Sequence, residues 1–402
     1  MKALYHGNIT AVLLGAFWMV ILSTTVAVTM SFLTGEPFRP VIWLSLAWGA
    51  ALGLITLYTP LGRLGPWAVA ILIIVATSFG VGPIVIEASL YQSAIAAVLL
   101  GVSFAWTVRW ILQDLPTGML TRHEFEAATI RFLMGFGYIF FVAIVLIPFY
   151  VMVMTSLKNQ AQLVQNPLDF SLDLSRGWAL FSSYQELLTE FNFGSYLWTS
   201  FYVSVLTVII TLMFSIPGAY AIARLRFRGQ SVMSRSILLI YMVPMIVLAL
   251  PIYIAFSMTG LRNTIIGIIM IYPVTTIPVA LYMLQGYFRG LPHEVEEAGL
   301  MDGLNRLQVI WKITLPLSLP ALASVSLYVF MIAWNEFLLA FMLLDDPSKF
   351  TLTRGIASLN SSEIPRQHLM AGAVIATVPI MAIFLGLERF VTKGMTAGSV
   401  KG

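Results

Sequence analysis

Ten stretches of about 20 predominantly apolar residues punctuate this chain, a length that matches the hydrocarbon thickness of a bilayer. Such stretches leave few folds open. With no water in the bilayer to pair with backbone N–H and C=O groups, a spanning segment must satisfy them internally, and runs this long do so as helices. The runs are Ile9–Leu33, Val41–Tyr58, Trp67–Ile86, Ser93–Leu112, Phe132–Met154, Tyr196–Ile222, Ser236–Ser257, Thr264–Leu284, Pro320–Leu343 and Met370–Phe390. Hydrophobic residues make up 59% of the 402 positions and charged residues 10%, a balance that belongs to polytopic membrane proteins. The expected fold class is therefore an all-α polytopic membrane protein. The first run is long and lacks a small-residue cleavage site, so it reads as a retained helix.

Polar intervals set the organisation. Residues 113–131 carry Asp114, Arg122, His123, Glu124 and Glu126 and form the expected domain boundary. Four runs lie before it and six after, which divides the chain into 1–130 and 131–402. Residues 156–195 are mixed and polar, with a short surface helix expected over 184–191. With the N-terminus cytoplasmic and all ten runs spanning, 15 of the 22 Lys and Arg residues fall inside and 7 outside. That bias has the sign of the positive-inside rule and places both termini in the cytoplasm. Pro217, Pro244, Pro251, Pro273, Pro278 and Pro379 fall within spans, where they bend helices and either shape packing or shape a lumen.

Enzyme chemistry finds little support. No Gly-x-x-x-x-Gly-Lys-Ser/Thr phosphate loop occurs, so ATP would have to be handled by a partner. The four histidines lie in tails or loops without metal-ligand spacing, and the chain has no cysteine. The expectation is no catalytic residue, no metal and no cofactor, and the small net charge of +4 gives no reason to invoke nucleic acid. Glu336, beside Asn335, is the one acid well inside a span. Isolated charge there costs about 2.5–3.5 kcal/mol on insertion scales, so Glu336 either lines a translocation path or belongs to a structural hydrogen-bonded pair.

The stretch Leu291–Pro320, LPHEVEEAGLMDGLNRLQVIWKITLPLSLP, is the most informative polar loop. Its residues predict a helix opening near Pro292 with acidic groups in the first turn. A turn follows at Asp302-Gly303, then a second helix with Leu307, Ile310, Trp311 and Thr314 at helical spacing. Pro316 and Pro320 mark entry into the next span. Two short helices joined at a glycine make a compact knob. Glu297, flanked by Glu296 and followed by Ala298 and Gly299, is placed to meet a partner's arginine, and the small residues would admit a close surface. A solvated amphipathic loop joining two spans is the plainer reading of the same spacing.

The order Glu297-Ala298-Gly299, Gly303, Ile313-Thr314-Leu315-Pro316 resembles the "EAA loop" of permease subunits in carbohydrate-type binding-protein-dependent ABC importers. The third motif position departs from the pattern, with Gly299 where alanine is usual. Four further segments resemble the same family in the right order: Ala219–Gly229, Leu261–Gly267, Trp334-Asn335-Glu336-Phe337 and the tail Gly394–Gly402, which is similar to the ending of maltose-type permeases of the "G" kind. The resemblance covers about two-thirds of the chain, from Phe132 onward.

The resemblance implies a six-helix type I ABC importer permease core with a cytoplasmic coupling loop at 287–316, here preceded by about four extra helices of unknown role. It implies a second permease subunit, two ATPase subunits, an extracytoplasmic solute-binding protein and a sugar or related polyol as substrate, in an inner membrane. Glu296, Glu297, Ala298, Gly299, Asp302, Gly303 and Pro316 would form the ATPase-coupling loop, with Thr396, Gly398 and Lys401 of the tail near the ATPases. Residues 345–368 would reach toward the binding protein, where Asn360, Ser361 and Ser362 are suitable partners for sugar hydroxyls or an ordinary turn. The rival reading is a stand-alone secondary transporter, which would show internal repeats and intramembrane ion-coupling groups; neither is clear in the sequence.

Overall fold

The computed structural model describes residues 5–58, 65–86, 89–166, 169–361 and 363–396, and these divide into two compact units, Met1–Leu180 and Phe181–Gly402. The first contains α1 (Gly7–Thr34), β1 (Phe38–Pro40), α2 (Ile42–Tyr58), α3 (Gly65–Ser78), β2 (Ile84–Ile86), α4 (Leu90–Ile111), α5 (Arg122–Ser156) and α6 (Gln160–Gln165). Glycine makes its tightest crossing. Gly15 on α1 faces Gly49 and Gly53 on α2 so closely that a Cβ on Gly15 would lie 2.4 Å from the Gly49 carbonyl oxygen. Gly49 and Gly53 form a Gly-x-x-x-Gly spacing, the pattern that lets two backbones meet in a membrane without a driving force from water. Below this crossing Trp18 is fully buried, its Nε1 donating to Thr107 Oγ1 at 2.6 Å.

The first unit extends beyond the expected boundary at 130 because α5 packs on the helices before it. Thr121 and Glu124 form a capping box that opens α5 ten residues ahead of the apolar run, and Phe132 then meets the Trp18 ring edge-on at 5.6 Å. Toward the other end of α5, Tyr150 stacks on Phe32 and its hydroxyl donates to the Phe32 and Phe170 carbonyls. The apolar run Trp67–Ile86 does not form one helix: α3 ends at Ser78, Gly80 takes φ 72°, and β2 pairs antiparallel with β1. Trp48 Nε1 and Ser45 Oγ donate to the Val81 and Pro83 carbonyls, satisfying part of this non-helical return.

The second unit holds α7 (Ser182–Thr189), α8 (Phe193–Arg224), α9 (Gln230–Tyr241), α10 (Met245–Met258), α11 (Ile265–Gly290), α12 (His293–Met301), α13 (Arg306–Val309), a π-helical turn (Ile310–Thr314), α14 (Leu315–Leu317), α15 (Leu319–Asn335), α16 (Leu338–Leu343), α17 (Leu352–Ser358) and α18 (Arg366–Thr396). Helices α8 and α11 pack along their length, with α15 and α18 beside them. On α8 the buried side chains Ser200, Ser204, Thr207, Thr211 and Ser215 recur at three- and four-residue steps. Small hydroxyl residues on one stripe permit close approach and cross-helix bonding, and Thr211 meets Thr276 of α11 at 2.6 Å.

Among the described residues, six helices are long and apolar enough to cross a membrane, and a bent pair makes a seventh candidate. Thus all ten apolar runs contain helix, but four differ from a single full-length span. Helix α2 has 17 residues and α3 has 14, shorter than a 30 Å core asks at 1.5 Å per residue. The run Ser236–Ser257 is split at Pro244, which cannot donate to the helix ladder and caps α10 instead. The run Pro320–Leu343 is divided at Glu336, where the backbone turns extended between α15 and α16.

Packing at the α1–α2 crossing generates a direct test. Gly49→Val would drive two methyl groups toward the Gly15 carbonyl and the Met19 side chain. Overpacking of this kind costs about 1–3 kcal/mol. Thermal unfolding of the detergent-solubilised protein should shift downward, whereas Gly118→Ala, at a site with open space, should leave the transition in place.

Candidate functional site

The knob between α11 and α15 is built from local rules. Helix α12 starts after Pro292 with Glu294 and Glu296 in its first turn, acids that complement the exposed N–H groups there. It ends in a Schellman arrangement: Gly303 at φ 85° donates to the Leu300 carbonyl and Leu304 N–H to the Gly299 carbonyl. Asn305 and Gln308 exchange backbone bonds as a capping box that opens α13. After the π-helical turn the chain bends by 80° between Arg306–Leu317 and Leu319–Asn335. Pro316 and Pro320 flank that bend, Pro316 in the last turn before it and Pro320 in the first turn of α15, where a missing N–H is least costly.

The two glutamates at the centre of the motif part company. Glu297 and Ala298 are exposed on α12, as are Asp302 and Gly303 at its end, and Pro316 beyond. Glu296 is buried, at 5% exposure, and faces the helices behind the knob. Its Oε1 accepts from Thr314 Oγ1 at 3.0 Å and its Oε2 from the Tyr220 hydroxyl at 3.2 Å. Arg224, in the last turn of α8, brings its Nε within 3.4 Å of Glu296 Oε1, an ion-pair separation rather than an aligned hydrogen bond. The guanidinium also donates from Nη2 to the Leu291 carbonyl at 2.8 Å and lies 2.8–2.9 Å from the His293 ring nitrogens. A buried ion pair adds little net stability, yet losing one partner costs about 3–5 kcal/mol because the other charge is left uncompensated.

Gly299 also faces inward. A Cβ there would sit 2.4 Å from Ile313 Cδ1 and 3.4 Å from Leu304 Cδ1, so its small size serves the packing of α12 on the π-helical turn and not the approach of another surface. Ala298 remains the small residue on the outside. The knob's exposed surface is partly apolar: Met301, one turn after Glu297, is 88% exposed, Leu307 68% and Trp311 71%. The sequence placed Leu307, Ile310, Trp311 and Thr314 on one helical face, but the π-helical turn splits them, turning Thr314 to the core and leaving Leu307 and Trp311 out.

At the far end of this unit the chain is pinned by side chains. Asn263, at φ 55°, accepts through Oδ1 from the N–H groups of Asp345 and Asp346 at 3.1 and 3.0 Å, and Arg262 pairs with Asp345 at 2.6 Å. The Ser348 hydroxyl and N–H, then Lys349, hold the Asp346 carboxyl below the usual aspartate range. Glu336 Oε1 accepts from Leu339 N–H at 2.8 Å and Oε2 from Ala340 N–H at 3.1 Å, so its carboxylate holds the first turn of α16. Asn335 is exposed and donates to the Met331 carbonyl at 2.9 Å. Asn360 and Ser361 are exposed in a turn after α17, and Thr396 closes α18. Ser362, Gly398 and Lys401 lie outside the described residues.

Arg224 and Tyr220 had no place in the site read from sequence, although both sit in the segment Ala219–Gly229. Their tie to Glu296 spans more than seventy positions. An arginine closing an apolar helix reads equally as an ordinary interfacial cation, so the signal was weak.

Comparison with known proteins converges on one family. Residues 215–397 match the model of the binding-protein-dependent transport system inner membrane component. The inner membrane ABC transporter permease protein YcjP of Escherichia coli is 38% identical over 269 residues, covering 66% of this chain and 95% of that protein. The trehalose/maltose transport system permease protein MalG of Thermococcus litoralis is 32% identical, covering 68% and 97%. The trehalose transport system permease protein SugB of Mycobacterium tuberculosis is 34% identical, covering 55% and 82%. A crystal structure of a bacterial ABC transporter involved in the import of alginate shares the fold, with a TM-score of 0.56 at 24% identity over 68% of this chain and all of that one. Roughly a third of this chain thus lies outside these alignments. The chain is a multi-pass membrane protein and belongs to the inner membrane permease components of binding-protein-dependent ABC transport systems.

Proposed function

We propose that this chain is one of two permease subunits of an importer for a sugar or related polyol, driven by ATP hydrolysis on partner subunits that dock on the knob. The observation that carries the reading is the knob itself: an internally packed pair of helices that exposes Glu297 and Ala298, Met301 one turn after Glu297 on the same helix, and Leu307 and Trp311 on the segment that follows. A solvated connecting loop has no need to expose so much apolar surface next to a carboxylate, whereas protein interfaces are enriched in Trp and Met at their centres. Glu297 is the group to pair with an arginine of the ATPase. The carbohydrate class is carried over from relatives whose names specify trehalose and maltose.

Both termini and the knob face the cytoplasm in this proposal, in keeping with the distribution of Lys and Arg. Residues 345–368 then face the binding protein, with Asn360, Ser361 and Ser362 as the proposed contacts to it or to the solute. The tail residues Thr396, Gly398 and Lys401 assist the knob at the ATPases. Closure of the ATPase dimer on ATP carries the knob with it, and the spans exchange inward-open for outward-open states. Asn335 and Glu336 stand near the outer end of the path. Glu336 shapes that end by holding α16, a structural contribution to the path rather than proton chemistry. Residues 1–130 lie outside the coupling scheme.

Two measurements test this scheme. Glu297→Lys reverses charge on the docking face without touching the knob's core. Truncating one member of a buried interfacial charge pair costs about 2–5 kcal/mol, so the variant should insert normally, lose its ATPase in mild-detergent purification and abolish uptake; full uptake would defeat the assignment. Orientation can be read because the chain has no cysteine. In intact cells a membrane-impermeant maleimide should label Asn360→Cys, and should reach Asp302→Cys only after permeabilisation.

A further inference from the structure

We infer that Arg224 and Glu296 form the joint through which displacement of the knob is passed to α8. This inference rests on the coupling role proposed for the knob and assigns positioning residues to it. The pair sits where four segments meet. Glu296 and His293 come from α12, Arg224 and Tyr220 from the last turns of α8, Thr314 from the π-helical turn, and the Leu291 carbonyl from the link between α11 and α12. Both charged side chains are almost wholly enclosed, Arg224 at 1% and Glu296 at 7% exposure, so neither belongs to the docking face. Helix α12 packs on α13 and the π-helical turn, and this polar node ties it to α8. Helix α8 in turn packs on α11, where Thr211 of its buried hydroxyl stripe meets Thr276. A push on α12 therefore reaches the main helix pair of this unit by way of Glu296 and the Arg224 fork.

Chemistry favours an ionic joint for such a task. The planar guanidinium orients itself through its directed contacts: Nη2 donates to the Leu291 carbonyl and Nη1 lies against the His293 ring, and the charge is thereby held 3.4 Å from the Glu296 carboxylate. Enclosure weakens screening by salt and strengthens the attraction. Apolar contacts across the same gap would resist compression but slide under shear.

The test separates a joint from a mere packing element. In Arg224→Met/Glu296→Gln the node loses both charges together, so no unpaired charge remains buried, and the fold is expected to survive as it does when other buried pairs are neutralised jointly. The complex purified with its ATPase should keep the wild-type subunit ratio and basal ATP hydrolysis in proteoliposomes. Hydrolysis should no longer respond to solute-loaded binding protein, and uptake should fall at least tenfold. If the pair served packing alone, the single variants would lose uptake and the double variant would regain it, and that result overturns the inference. Loss of the ATPase from the double variant would also overturn it, since the pair would then hold the docking surface. Arg224→Lys gives a second measurement: it keeps the charge, loses the fork, and should lower uptake per ATP hydrolysed while the complex stays intact; unchanged coupling in it counts against the joint. Wild-type chain that brings down no ATPase would instead defeat the proposed function.

Discussion

A backbone that crosses hydrocarbon must satisfy its own polar groups, and the architecture of this protein follows from that constraint. Long helices meet it almost wholly within their own ladders: α1 and α4 are free of proline, while α5, α8, α11 and α18 each carry internal proline that leaves a ladder carbonyl without its usual donor. Breaks are tolerated where side chains stand in for the missing ladder. Trp48 and Ser45 serve the return after α3, Glu336 holds the first turn of α16, and Asn263 receives the N–H groups that enter the 345–350 segment. Several polar residues inside these spans thus serve backbone repair, and others link elements: on the hydroxyl stripe of α8, Thr211 meets Thr276 of α11 and Ser200 accepts from Leu352 N–H.

Since lipid offers no hydrophobic drive between helices, their cohesion depends on closeness. Each unit solves this in its own way. In the first, glycines bring α1 and α2 to backbone contact, and Trp18 fills the space below. In the second, small hydroxyl residues set α8 against α11, while aromatic side chains such as Phe193, Tyr196, Tyr272 and Trp334 form the apolar core at one end. The other end has a smaller core of Tyr220, Leu284 and Phe288, and the knob stands on it.

The knob joins two kinds of physics that a membrane protein usually keeps apart. Its fold is that of a small soluble element, with acidic first turn, Schellman ending and capping box. Behind it lies an enclosed ion pair, costly to break, whose carboxylate also accepts directed hydrogen bonds from Tyr220 and Thr314. Exposed Glu297 and enclosed Glu296 are adjacent in sequence and about 100° apart on the helix, which is why one is open to solvent while the other turns to the end of α8 and the π-helical turn.

Much was legible from the sequence because it is local. Apolar run length gave the class and the approximate place of the helices, turn chemistry at Asp302-Gly303 gave the knob, and ordered motifs gave the family. Helix ends and breaks were less legible: Pro244 and Gly80 are visible punctuation, but whether each kinks a helix or ends it depends on what neighbouring groups can satisfy. Tertiary structure alone decided the inward turn of Glu296 and Gly299, the tie to Arg224, and the inclusion of α5 with the helices before it. Those features rest on contacts between residues far apart in the chain, where spacing carries no information about which face meets which.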